Sequence, residues 1–184
     1  MKVVPSAGVS LPAHFHYVSP TQINVQVPWE LANYSSATVK VIINYTYSSE
    51  YTLSLATYAP GFFLEPPNGP PIAAALDLSN NVISASHPVT RGNVVQLFLN
   101  GLGPVNNTPP DGWPATNASS TTLATPTITI GGQPATVSFS GLAPGYADLY
   151  QINAVVPTGI GTGLQPVTCS IGGVSCQTVN LYVN

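Results

Sequence analysis

Apolar residues recur along much of this chain at every second position. Ile23, Val25 and Val27 bracket Asn24 and Gln26; Val39, Val41 and Ile43 bracket Lys40 and Ile42; Tyr51, Leu53 and Leu55 bracket Thr52 and Ser54. A period of two predicts strands with one face turned to a core. The run Val94-Val95-Gln96-Leu97-Phe98-Leu99 is almost continuously apolar, as expected of a strand inside a sheet. Residues 128–130, 136–139, 149–154 and 179–183 complete the predicted strands. Nowhere do apolar residues keep helical spacing over three turns, and 19 prolines and 16 glycines punctuate the chain. Many short strands joined by Gly, Pro and Asn turns predict an all-β protein of antiparallel β-sandwiches.

The chain also repeats itself. Gln22-Ile23-Asn24-Val25-Gln26-Val27-Pro28 returns as Gln151-Ile152-Asn153-Ala154-Val155-Val156-Pro157, 129 residues later, and 39–55 align with 167–183 at an offset of 128. Each copy passes through a short turn, Asn44-Tyr45 or Gly172-Gly173, into a run ending Leu53-Ser54-Leu55 or Leu181-Tyr182-Val183. Upstream, this alignment sets Tyr17 on Tyr146. A repeat of this length is domain-sized and predicts two related modules.

The copies are unequal, because far more strand-like sequence precedes the second motif than the first. The expected organisation is an incomplete β-sandwich over 1–63, a Pro-rich linker over 64–71 and a complete β-sandwich over 72–184. Nothing before Gln22 matches the 94–99 strand. The first module is therefore expected to be completed from outside itself. Residues 1–9 could fold back, the second module could lend an edge, or another subunit could donate a strand. The irregular stretch 103–126 exceeds ordinary loop length and is expected to be functional or mobile.

Composition narrows the partners. Of 184 residues only nine are charged, three Lys or Arg and six Asp or Glu, for a net charge of −3. Three cations cannot track a phosphate backbone, so nucleic acid is excluded as a partner. No apolar run reaches the ~20 residues of a membrane span. Met1-Lys2-Val3-Val4-Pro5 lacks the apolar core of a signal peptide, so an exported chain has either lost its export signal or forms part of a longer secreted polypeptide. The cysteines favour export. In Cys169-Ser170-Ile171-Gly172-Gly173-Val174-Ser175-Cys176, a two-residue Gly-Gly turn sets Ile171 opposite Val174, Ser170 opposite Ser175 and Cys169 opposite Cys176. Directly opposed residues lie within disulfide reach, and a disulfide implies an oxidising compartment, extracellular or cell-surface.

Several ordered motifs resemble a known family. Ser19-Pro20-Thr21-Gln22-Ile23-Asn24-Val25-Gln26-Val27-Pro28-Trp29-Glu30-Leu31, Ala59-Pro60-Gly61-Phe62-Phe63, Pro88-Val89-Thr90-Arg91-Gly92 and Asn100-Gly101-Leu102-Gly103-Pro104 are among them. Ile130-Gly131-Gly132-Gln133-Pro134-Ala135, Gly141-Leu142-Ala143-Pro144-Gly145 and Tyr150-Gln151-Ile152-Asn153 extend the set over nearly the whole chain. Together they resemble the repeated C-terminal module of large secreted acidobacterial proteins. The resemblance implies immunoglobulin-like β-sandwiches at or beyond the cell surface, and it brings no catalytic residues. Family members usually carry apolar or small residues where this chain has Cys169 and Cys176, and the His14-Phe15-His16 stretch is atypical.

Candidate chemistry is sparse. His14 and His16, two apart on a strand, would share a face, and His87 could complete a three-histidine metal site; the plainer reading is a solvated pair, and no cofactor is expected. Glu30, Glu50, Glu65, Asp77, Asp111 and Asp148 are scattered, so a glycosidase-type carboxyl pair would have to be assembled by folding. There is no Gly-x-Ser-x-Gly elbow and no phosphate loop ahead of a helix, so the chain is not expected to be an enzyme. Trp113 and Trp29 are the candidates for stacking on sugar rings, with anchoring of a loop and packing under the sandwich as the plainer alternatives. Asn33, Asn44, Asn106 and Asn117 head Asn-x-Ser/Thr triplets. The expected role is structural or adhesive, a self-assembling surface or filament subunit partnered by its own copies or by neighbouring domains. A carbohydrate-binding module of a secreted enzyme, with polysaccharide as partner, is the alternative.

Overall fold

The structure is a computed structural model describing residues 2–5, 10–65 and 70–184, the first four as backbone only. Residues 66–69 of the expected 64–71 linker and most of the 1–9 segment lie outside the described residues. By backbone contacts the chain forms two compact units, Met1–Thr57 with Pro109–Trp113, and Tyr58–Thr108 with Pro114–Asn184. The fold is all-β and antiparallel, with one 3-10 turn at Trp29–Leu31 as the sole helical element among the described residues.

Unit 1 carries β1 (Lys2–Pro5), β2 (Leu11–Pro12), β3 (Phe15–Val18), β4 (Ile23–Val25), β5 (Ser36–Lys40), β6 (Ile42–Ile43), β7 (Thr46–Tyr47) and β8 (Tyr51–Ser54). They form a sheet in the order β2-β1-β5-β8 and two hairpins, β3-β4 and β6-β7. Unit 2 carries β9 (Gly61–Phe62), β10 (Ala75–Leu76), β11 (Val94–Asn100), β12 (Thr127–Ile130), β13 (Gln133–Leu142), β14 (Tyr150–Val155), β15 (Gly163–Ile171), β16 (Val174–Ser175) and β17 (Val179–Val183). Their order is β10-β11-β14-β13-β12-β15-β16, with β9 on β11 and β17 on β15. The first residues of β13 pair with β12 and the rest with β14, so one strand serves both layers of a sandwich-like fold.

Alternation in sequence becomes burial here. Val95, Leu97 and Leu99 of β11 are fully buried while Gln96 and Phe98 between them stay half-exposed. Ile152, Val167 and Leu181 join them at 0% exposure, each buried aliphatic side chain contributing about 1.5–3 kcal/mol. The motif Ala59-Pro60-Gly61-Phe62-Phe63, expected within the first module, pairs with β11: Gly61 lies opposite Asn100 and Phe62 opposite Leu99. The 103–126 stretch is ordered by its own hydrogen bonds, among them Asn106 N–H to the Thr121 carbonyl at 2.8 Å and Ser120 Oγ to the Asn107 carbonyl at 2.9 Å.

One pairing frame occurs in both units. In unit 1 Ala37 faces Leu53 and Val39 faces Tyr51; in unit 2, 128 residues on, Gln165 faces Leu181 and Val167 faces Val179. The β6-β7 hairpin pairs Ile43 with Thr46 around Asn44-Tyr45, as β15-β16 pairs Ile171 with Val174 around Gly172-Gly173. All four turn residues have positive φ, 48° and 66° in the first turn, 57° and 82° in the second, the mirror-image turn that matches strand twist. Even an irregularity is shared. Phe15 faces Val25 and Tyr17 faces Asn24, skipping His16, just as Val137 faces Ala154 and Phe139 faces Asn153, skipping Ser138. Leu11 and Pro12 lie on β1 as Gln133 and Pro134 lie on β12.

The register therefore matches Tyr17 with Phe139, not with Tyr146, and corrects the sequence alignment upstream of the Gln-Ile-Asn motif. Unit 2 holds seven more residues than unit 1 between those strands, which is why a single offset failed. Residues 2–18 supply counterparts of β12 and β13. Among the described residues, what unit 1 lacks are counterparts of β11 and of the two short strands on it, β9 and β10.

The Cys169–Cys176 disulfide spans 5.3 Å between Cα atoms, one step out from the Ser170–Ser175 pair. Val41 and Ser48 hold the matching positions in unit 1, where the Ser48 hydroxyl accepts the Val41 N–H at 3.0 Å and Ser48 N–H reaches the Val41 carbonyl at 2.9 Å. The turn, not the bridge, sets the hairpin. Alkylation without reductant should therefore add no mass. The double variant Cys169→Val, Cys176→Ser should cost no more than about 3 kcal/mol in denaturant melts while keeping the hairpin amide shifts. Loss of those shifts would make the bridge the organiser.

Candidate functional site: the open edge of β4

β14 has a neighbour on each side. β13 covers one edge, and β11 covers the other through Val95–Ala154, Gln96–Asn153 and Leu97–Ile152. β4, its counterpart, pairs with β3 alone among the described residues. Burial follows: Ile152 and Ala154 are fully buried, whereas Ile23 and Val25 are half-buried and Val27 is 44% exposed. The recurring Gln-Ile-Asn motif has a physical reason. Residues two apart on a strand share a face, and Gln22 Nε2 donates to Asn24 Oδ1 at 2.7 Å as Gln151 Nε2 does to Asn153 Oδ1 at 2.7 Å. In unit 2 the ladder gains a cross-strand rung, Gln151 Nε2 to Gln96 Oε1 at 2.9 Å.

Among the described residues, the buried core of unit 1 is Ala13, Leu31 and Ala37, with Leu11, Val25, Tyr34, Val39 and Leu55 packed partly buried against them. Segment Pro109–Trp113 belongs to the same unit and closes one end. Asp111 accepts the Trp29 N–H at 3.1 Å, Gln26 Oε1 accepts the Gly112 N–H, and Trp113 N–H returns to the Pro110 carbonyl at 3.0 Å. Gly112, at φ +75°, occupies the turn position that demands a left-handed residue, and a Cβ there would run into the His14 ring. The structure thus sets Trp29 and His14 against the Asp111-Gly112 turn that precedes Trp113, far along the chain from both.

It also assembles a carboxyl pair that the sequence leaves scattered. Burial pushes the Asp111 carboxyl up; the Trp29 N–H opposes this, and a hydrogen bond to Glu30 and the Glu30 charge add to it. One oxygen of Asp111 is committed to the Trp29 N–H, which ties this carboxyl into a turn. Trp113 is 67% exposed, whereas Trp29 is half-buried and its Nε1 is buried without a hydrogen-bond partner.

Strand β3 is bulged at His16, so plain alternation does not relate its face to that of His14. In unit 2, His87 Nε2 lies 2.8 Å from Asp77 Oδ2. Hydrogen bonds from Asn81, then from His87, hold the Asp77 carboxyl well below the usual carboxylate range. Among the described residues no three His, Cys, Asp or Glu side chains come close enough to hold a metal ion, and no helix is long and apolar enough to cross a membrane. Comparison of the chain with protein-family models, with curated proteins and with solved structures found no match in any of the three.

The two shifted aspartates oppose each other on acidification. Asp111 binds its proton more tightly folded than unfolded, so its contribution is complete below the unfolded pKa near 3.9 and is lost as pH rises through the raised folded value. Asp77 does the reverse: its contribution is present above about 3.9 and lost as pH falls towards its lowered folded value. Between neutrality and about pH 4, the protection factors of the Leu31 and Ala37 amides, which correct for the intrinsic pH dependence of exchange, should rise, and Asp111→Asn should abolish the rise; unchanged protection factors in the parent would refute the shift. Gly112→Ala should destabilise unit 1 by about 1–3 kcal/mol, read as faster exchange at the same two amides, with those of β14 unaffected.

Proposed function

We propose that the chain is a non-catalytic, extracellular structural or adhesive protein of two related immunoglobulin-like modules, the first completed by a strand from another polypeptide segment. The observation that carries this reading is that β4 pairs with β3 alone among the described residues, whereas β11 fills the other edge of its counterpart β14. An unpaired strand edge along half-buried apolar residues is a site for β-augmentation. Covering Ile23 and Val25 would stabilise the unit by a few kcal/mol at most, at about 25 cal/mol per Å² of apolar surface. The donor comes from another copy of the chain or from a neighbouring domain of the parent polypeptide. The register specifies its chemistry: an antiparallel, uncharged strand with apolar residues in the places of Val95 and Leu97 and an amide in the place of Gln96, opposite Asn24. The resemblance to a repeated surface module and the disulfide both suit an exported location.

A synthetic peptide with the sequence of Val94–Asn100 tests it. Negative-stain imaging and light scattering of the pure protein should show linear assemblies, and excess peptide should shorten them while raising the melting temperature of unit 1. A Leu97→Lys peptide should do neither. Monomers at all concentrations, with melting indifferent to the peptide, would contradict the proposal.

A further inference from the structure

The face of β11 turned away from the core floors an open cleft of about 760 Å³, built entirely within unit 2. Its lining follows from strand alternation: Val95, Leu97 and Leu99 point into the core, so Gln96 and Phe98 point into the cleft, joined there by Gln151 from β14. Leu149 and Tyr146 form a wall, Tyr146 62% exposed, and Glu65 is the one carboxylate among the lining residues.

The amides are fixed before any ligand arrives. Gln96 Nε2 donates to the Asp77 carbonyl at 2.6 Å, and its Oε1 accepts from Gln151 Nε2 at 2.9 Å. Gln151 Nε2 also donates to Asn153 Oδ1 at 2.7 Å. Both N–H bonds of Gln151 are thus committed, and what it can offer a ligand is its carbonyl oxygen, while Gln96 Oε1 retains a second lone pair. Gln151 is only 9% exposed, so these acceptors sit at the base of the cleft, with apolar and aromatic surface around them. A matching ligand must bring hydrogen-bond donors on one edge and an apolar face on the other, without negative charge beside Glu65. A neutral sugar ring has that make-up, its hydroxyls donating and its C–H face stacking on an aromatic ring.

We propose that this cleft binds a neutral saccharide, with Tyr146 and Phe98 as the stacking surface and Gln96 and Gln151 as the acceptors for its hydroxyls. The site is distinct from Trp113 and Trp29, which lie in unit 1. It is also independent of strand addition at β4, because it uses no residue of unit 1. An adhesive module would gain from it a ligand as well as a neighbour.

The test is titration of the intact, isotope-labelled chain with hexasaccharides of glucose, N-acetylglucosamine, mannose and xylose, followed through its side-chain amide signals. The expected result is a saturable shift of the Gln96 and Gln151 NH₂ signals with at least one sugar. Tyr146→Ala, at an exposed position, should weaken it about tenfold with an unchanged melting temperature, whereas Trp113→Ala should leave it intact. Because Gln151→Ala could unsettle the sheet, Gln96→Ala with a matched melting curve serves as the second variant. Absence of any shift at millimolar sugar would overturn the proposal. So would loss of binding in Trp113→Ala but not in Tyr146→Ala.

Discussion

Every strand has two edges, and a row of backbone N–H and C=O groups on either edge must find partners. That requirement governs this protein more than any side-chain chemistry. With nine charged residues in 184, electrostatics can neither organise the fold nor keep copies apart. Strand pairing and apolar burial carry the fold. Unit 2 meets the requirement around β14, flanked by β11 and β13, and its buried aliphatic core follows. Among the described residues, unit 1 repeats the same registers on β1 to β8 without counterparts of β9, β10 and β11, and its buried apolar core is two alanines and a leucine.

Much of this was legible in the sequence. Period-two alternation marked β4, β5, β8 and β11, and the Asn44-Tyr45 and Gly172-Gly173 turns fixed the hairpins, because a two-residue turn leaves one register. The disulfide followed from that register. The Gln-Ile-Asn repeat was visible, but its reason was not: the amide pair between residues two apart is a side-chain geometry. Other features were hidden because they depend on unequal spacing. The match of Pro12-Ala13 to Pro134-Ala135 lies at an interval of 122, not 129, and the seven extra residues of unit 2 masked it. The bulge at His16, which interrupts the alternation along β3, leaves no mark in composition.

The candidate site was the least legible part. Pro109–Trp113 is far from Gln26 and Trp29 in sequence, and only folding sets Asp111 beside Glu30. The aromatic residues singled out from sequence, Trp29 and Trp113, turned out to flank a tied turn. The residues lining the cleft of unit 2 are ordinary Gln, Phe and Tyr whose meaning comes from facing away from the core on adjacent strands.

Native-state amide exchange, compared between β4 and β14 in the dilute, unassembled protein, tests that account most directly. The amides of residues 23–25 should exchange orders of magnitude faster than those of 152–154, while the central strands β5 and β15 of both units stay protected. Equal protection of β4 and β14 would mean that the edge is already closed within the chain, and the account of unit 1 as an uncompleted copy would be wrong.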